Sequence, residues 1–103
     1  MRPRLRALVR QLRREFPPLL PVRVYVRPKL DKGTHAYCEL KFDGEKPARF
    51  AIVLAAASHD NERLYLLHEW AHALAWSRDE CAEDHGDDWG IAYGRLYRRV
   101  MEG

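Results

Sequence analysis

LYLLHEWAHALAW, residues 64–76, is the stretch that most narrows what this chain can fold into. It sets two histidines and a glutamate inside an apolar run with helical spacing. Leu64, Leu67, His68, Ala71, His72 and Ala75 recur at intervals of three and four, so they share one face of a helix. Burying two imidazoles and a carboxylate with no common partner is costly. A fold that keeps this helix inside must therefore give its polar groups a shared task. His68 and His72 are separated by slightly more than one turn and a rise of about 6 Å. Both can reach one ion at the usual zinc–nitrogen distance of about 2.0–2.1 Å. Glu69 lies about 100° further round the helix. There it stands off the ion but can accept the proton of a water bound to it and pass that proton to a leaving group. This is the chemistry of the HExxH pattern.

A catalytic zinc takes three protein ligands and keeps one position for water. Continuing the motif in the metzincin manner requires Gly at 75 and His at 78, where this chain has Ala75 and Arg78. The remaining downstream candidates are His85, Cys81 and the carboxylates Glu80, Glu83, Asp84, Asp87 and Asp88. His85 is the best placed of these. It lies thirteen residues past His72 in DHGDDWG, directly before Gly86 and the start of another helix. A helix N-terminus favours neutral, ligating imidazole. Gly86, Gly90 and Gly94 would let that helix come close to the first. The acids have a simpler explanation in solvation and helix capping.

The rest of the chain supplies one small domain around this helix. Leu5, Leu8, Val9, Leu12 and Phe16 form an apolar stripe that Pro17 and Pro18 terminate. VRVYV (22–26), THAYCELKF (34–42) and ARFAIVLA (48–55) read as strands, separated by turns at Asp31-Lys32-Gly33 and Asp43-Gly44. In the second strand Ala36, Cys38, Leu40 and Phe42 fall on one face and His35, Tyr37, Glu39 and Lys41 on the other. Asp60 or Asn61 can cap the histidine helix. SRDECAED (77–84) reads as a loop, and Trp89, Ala92, Tyr93, Leu96, Tyr97 and Val100 stripe a last helix. The layout α-β-β-β-α-α predicts a single α+β domain over residues 1–103. Its mostly antiparallel three-stranded sheet forms a meander packed against helices.

Charge and cysteine content exclude several classes. No apolar run approaches the roughly 20 residues that span a bilayer. Arginines at 6, 10, 13 and 14 interrupt any signal-peptide core, so the expected location is cytoplasmic, with no membrane partner. Cys38 and Cys81 have neither CxxC spacing nor the density of a disulfide scaffold, so both are expected as reduced, partly buried thiols. Net charge is +3, but six arginines fall within the first 14 residues. That basic N-terminal helix is either a solvated face or a site for DNA.

LLHEWAHALAW followed at short range by DHGDDWG resembles the SprT-like zinc metallopeptidases, in which HExxH precedes a His-Gly step and an aromatic residue. The resemblance covers about residues 50–100. It implies a small zincin-like domain with His68, His72 and His85 as ligands of one Zn2+ and Glu69 as general base. Trp89 would be a packing residue beneath the site. It implies hydrolysis of peptide bonds in a protein or peptide substrate, and in some members action on DNA-associated proteins. The CxxC…CxxC zinc ribbon of larger members is missing, which leaves the N-terminal arginines as the replacement for DNA contact. Second N–H partners for the histidines would come from Asp84 or Asp88. Tyr37, Tyr93 and His35 are candidates for a donor to the oxyanion, with ordinary strand or core packing the weightier reading of each. The strand at 48–55 would be an edge that pairs with an extended substrate. The competing expectation is a non-catalytic, zinc-stabilised binding module, for which Glu69 has no use.

Overall fold

The computed structural model describes residues 1–76 and 85–103. The polar loop 77–84, with Cys81 and Asp84 among its residues, lies outside the described residues. The elements are α1 (Pro3–Glu15), β1 (Val22–Arg27), β2 (Ala36–Asp43), β3 (Lys46–Ala55), α2 (His59–Ala75) and α3 (Asp87–Val100).

Proline at the first position of α1 has the fixed φ that a helix start needs. Leu5, Leu8, Val9 and Leu12 are its buried residues. The helix ends where the Phe16 N–H donates to Leu12 O (2.8 Å) and Pro17 follows. Two contacts fix that end in place. Arg13 donates to Val22 O at the start of β1 (2.8 Å), and the Trp70 indole N–H of α2 donates to Phe16 O (2.9 Å). Arg99 of α3 adds an ion pair with Glu15 (2.8 Å).

The fold is α+β, but the strands are not a meander. The order is β1-β3-β2, with β1 parallel and β2 antiparallel to the central β3. The physical reason is apolarity. Phe50 to Leu54 are all buried, whereas β1 has one buried residue and β2 has none, and a strand covered on both sides belongs in the middle. β2 and β3 form the hairpin read at Asp43-Gly44, where Gly44 takes the left-handed φ of 64°. A bulge leaves Ala48 of β3 outside the pairing and sets Phe42 opposite Pro47, which lines a cavity with Leu20 and Trp76 on the helical side of the sheet.

The helices cover one face of the sheet. Phe50, Ile52 and Leu54 join Leu5 and Leu12 of α1, Leu66, Leu67 and Trp70 of α2, and Leu96 of α3 in one core. Half-buried Cys38 packs against it. Helix α2 starts earlier than a cap at Asp60 or Asn61 implies. Ser58 is the cap, its Oγ accepting from the Asn61 N–H (3.3 Å), while buried Glu62 accepts from the Ala57 N–H (3.0 Å). No described helix is long and apolar enough to cross a membrane.

Candidate metal centre

Helix α2 lies between the sheet and α3, so it is buried around most of its circumference. Leu66, Trp70 and Ala73 face the core. On the flank toward α3, His68 and His72 project from successive turns. His85 arrives from the residue before Gly86, the N-cap of α3. Its Nε2 lies 3.0 Å from Nε2 of His72 and 3.1 Å from Nε2 of His68. All three nitrogens fall within 4.8 Å of one another.

The donor set has a definite preference. A neutral imidazole offers one N–H and one lone pair, so a single proton on the His85 nitrogen can serve only one of its two neighbours. A cation accepts all three lone pairs at once, and three neutral imidazoles are a ligand set that zinc favours. Burial and the charge of His85 both lower the His68 pKa, favouring the neutral, ligating form. His72 is buried, with 5% exposure, whereas His85 is on the surface. The site thus has one wall inside the domain and one mouth to solvent.

Glu69 is 7% exposed, and burial pushes its carboxyl up to about 7. Its Oε2 is 3.9 Å from His68 Nε2, too far for a direct hydrogen bond. A carboxyl balanced near neutrality beside the nitrogen cluster can both take up and release a proton.

Trp89 holds the two helices together at the centre. Its indole N–H donates to the carbonyl of His68 (3.1 Å), and its ring lies 4.9 Å from His68, 4.8 Å from His85 and 5.7 Å from His72. Tyr93, one turn on, stacks on Trp89 at 5.1 Å. The close helix approach does not depend on the small residues at 90 and 94. A Cβ at either glycine would meet nothing within 4 Å.

A cleft of about 490 Å³ opens beside His68 and Glu69. Its other walls are Gly33, Thr34, His35 and Ala36 at the start of β2, together with Tyr65 and Tyr93. Two of the three candidate oxyanion donors, His35 and Tyr93, therefore line the cleft. Tyr37 does not, because the alternation of β2 turns it to the far side of the sheet, where it sits opposite Val53. Burial and neighbouring Tyr97 raise the Tyr93 pKa, which keeps its hydroxyl a donor. Asp88 is exposed and lines a separate cavity with Phe16, Leu74 and Arg95, and Asp84 lies outside the described residues. The expected edge at 48–55 is corrected too. β3 is paired on both sides, and the strand that starts at the cleft is β2, an edge of the sheet.

Tyr65 is the cleft residue that the sequence reading passed over. Its ring stacks on His35 at 5.3 Å and an interplanar angle of 12°. The signal was available, because Tyr65 precedes His68 by three residues and so shares its side of the helix. No protein-family model, curated protein or solved structure matches the chain.

Proposed function

We propose that the chain is a zinc-dependent metallopeptidase of the SprT-like kind, with His68, His72 and His85 as metal ligands and Glu69 as general base. The observation that carries this reading is the convergence of three imidazole nitrogens beside a buried carboxylate at an open cleft. A purely structural metal site has no need of that carboxylate or of the cleft. Zinc held by these histidines would supply Lewis acidity toward a water and the scissile carbonyl.

The chain's own residues do the rest. Glu69 would accept the proton of the attacking water and pass it to the departing amine. The free edge of β2 binds an extended peptide by main-chain pairing and leads it into the cleft. Tyr93 or His35 donates to the oxygen that becomes negative. Exposed Arg4, Arg6, Arg10 and Arg14 on α1 provide a basic surface for DNA, so that DNA-associated proteins are reachable substrates.

The test is to measure zinc content and cleavage of an unfolded protein for the wild type, Glu69→Gln and His85→Ala. Glu69→Gln should keep its zinc and lose at least about a hundredfold in rate, the scale of a general base. His85→Ala should lose zinc as well as cleavage. Equal cleavage by the wild type and Glu69→Gln would overturn the enzyme reading and leave a zinc-stabilised binding module. Undiminished zinc affinity in His85→Ala would reject His85 as a ligand.

A further inference from the structure

His35 is the last residue before β2 begins at Ala36, so the alternation that turns Tyr37 away does not bind it. Its carbonyl accepts from the Ala55 N–H (2.8 Å), which ties its backbone to the end of β3. Its ring turns to the helical side and lies flat on Tyr65 of α2, with centroids 5.3 Å apart and planes inclined by 12°. Tyr65 is half-buried and packs against the core, whereas His35 is exposed. The pair forms a flat wall, rooted in the domain and open to solvent at its outer ring. Tyr65 precedes His68 by nearly one turn, a rise of about 4.5 Å along α2. One residue of an extended chain spans about 3.3 Å. A peptide with its scissile carbonyl at the histidines can therefore set a neighbouring side chain on this wall.

The remaining walls supply apolar surface and room. Leu64 of α2 and Tyr93 of α3 are half-buried, and Gly33, Thr34 and Ala36 are small. Ala36 packs toward the helices, so a peptide residue paired with it across the free edge of β2 shares that side. No lysine or arginine lines the cleft among the described residues. An acidic side chain entering it would leave water without a fixed counter-charge, at a cost. A basic side chain would find only Glu69, which the proposed reaction engages with the attacking water.

We propose that this cleft is a specificity subsite that takes an aromatic side chain next to the scissile bond, packed on the His35–Tyr65 pair. The inference rests on the metallopeptidase reading of the histidine cluster and names its substrate class. Aromatic rings attract one another in offset-stacked or edge-to-face arrangements, beyond the gain from burial alone. An aliphatic side chain of similar size gains the burial and lacks the ring contact. The substrates are unfolded or extended segments that expose aromatic residues, which folded proteins mostly keep inside.

Glycine–serine peptides carrying a single Phe, Leu, Ala, Asp or Lys test this on the zinc-loaded full chain, with cut positions read by mass spectrometry. Cleavage beside Phe should exceed cleavage beside Leu by about three- to tenfold in kcat/KM, the scale of one aromatic pair. Tyr65→Leu keeps an apolar side chain and removes the ring, so it should bring that ratio close to one. Tyr65→Phe should preserve it. A ratio measured within one variant does not depend on how much of that variant is folded. Binding of the same labelled peptides to zinc-loaded Glu69→Gln, with and without Tyr65→Leu, gives the comparison without turnover. Equal cleavage beside Phe and Leu, or a Phe preference that survives Tyr65→Leu, would overturn the subsite and leave the peptidase reading standing. A Tyr65-dependent preference for Phe in binding, with no cleavage by the wild type, would support the subsite and overturn the peptidase reading. Equal binding of Phe and Leu peptides without cleavage, or a preference for Lys or Asp, would overturn the proposal.

Discussion

Helices α1 and α2 handle polarity in opposite ways. α1 buries Leu5, Leu8, Val9 and Leu12 and keeps its arginines at 4, 6, 10, 13 and 14 exposed. α2 buries Glu62, Glu69 and His72 beside its apolar residues. A charged group taken out of water needs a partner. Glu62 has the Ala57 N–H, whereas Glu69 sits buried enough to shift its pKa and His72 points its Nε2 at two other imidazoles. The helix that departs from simple amphipathicity is the one that carries the site. That is where local rules are expected to give way to function.

If α1 is purely structural, a cavity in its stripe should cost stability and leave the site chemistry intact. Leu12 is fully buried in the core with Leu66, Trp70 and Phe50. Leu12→Ala should destabilise the domain by about 2–5 kcal/mol, read from urea unfolding with zinc present. At low temperature, where the variant is folded, zinc stoichiometry and cleavage per folded molecule should equal wild type. Loss of zinc from the folded variant would show that α1 positions the histidines and would remove the contrast.

In α2 the opposite result is expected, with stability gained as activity is lost. The folded-state carboxyl of Glu69 is raised to about 7 from the ordinary 4.5. Its contribution to stability is complete below about pH 4.5 and is lost as pH rises through about 7, because the folded state holds the proton more tightly. In the metal-free protein, Glu69→Gln should therefore be more stable than wild type above pH 7, by about 1–3 kcal/mol for a buried polar group relieved of its charge. The difference should shrink below pH 5. Comparing the two proteins at each pH cancels the titration of His68, which both retain. A constant difference across this range would mean that Glu69 is solvated in the folded state.

The contrast between the helices also explains how much the sequence could reveal. Periodicity identifies α1, the first two strands and α3, because each alternates or repeats on one face, and the third strand shows as an apolar run. Periodicity also pairs His68 with His72, since both lie on one helix and their relation is local geometry. The central place of β3 is a different kind of fact. It depends on which strand is covered on both faces, and the unbroken run at 48–55 hinted at that without deciding strand order. The bulge at Lys41/Phe42 sits beside Pro47, whose missing N–H is a signal for one, but that signal does not fix the register. His85 could be nominated from its position before Gly86, but its convergence with the other two depends on how α3 docks. That docking uses Trp89 and its bond to the His68 carbonyl, a contact between elements that no local pattern contains. Ser58 is legible as a cap, two and three residues ahead of the expected Asp60 or Asn61.

The smallest expected effect on stability belongs to the arginines of α1, and it sharpens the comparison from the other side. Arg6 and Arg10 are exposed, and neither forms a salt bridge among the described residues. Replacing both with glutamine should change stability by less than about 0.5 kcal/mol, as surface substitutions do. The one bond at stake is that from Arg6 to the Met1 carbonyl (3.3 Å), an exposed contact at a chain terminus. If the helix contacts duplex DNA, the same double variant should bind it more weakly at every sequence. Each lost phosphate contact should flatten the dependence of log affinity on log salt by about 0.9. An unchanged salt slope would leave α1 as a solvated structural helix. Its charges would then serve solubility.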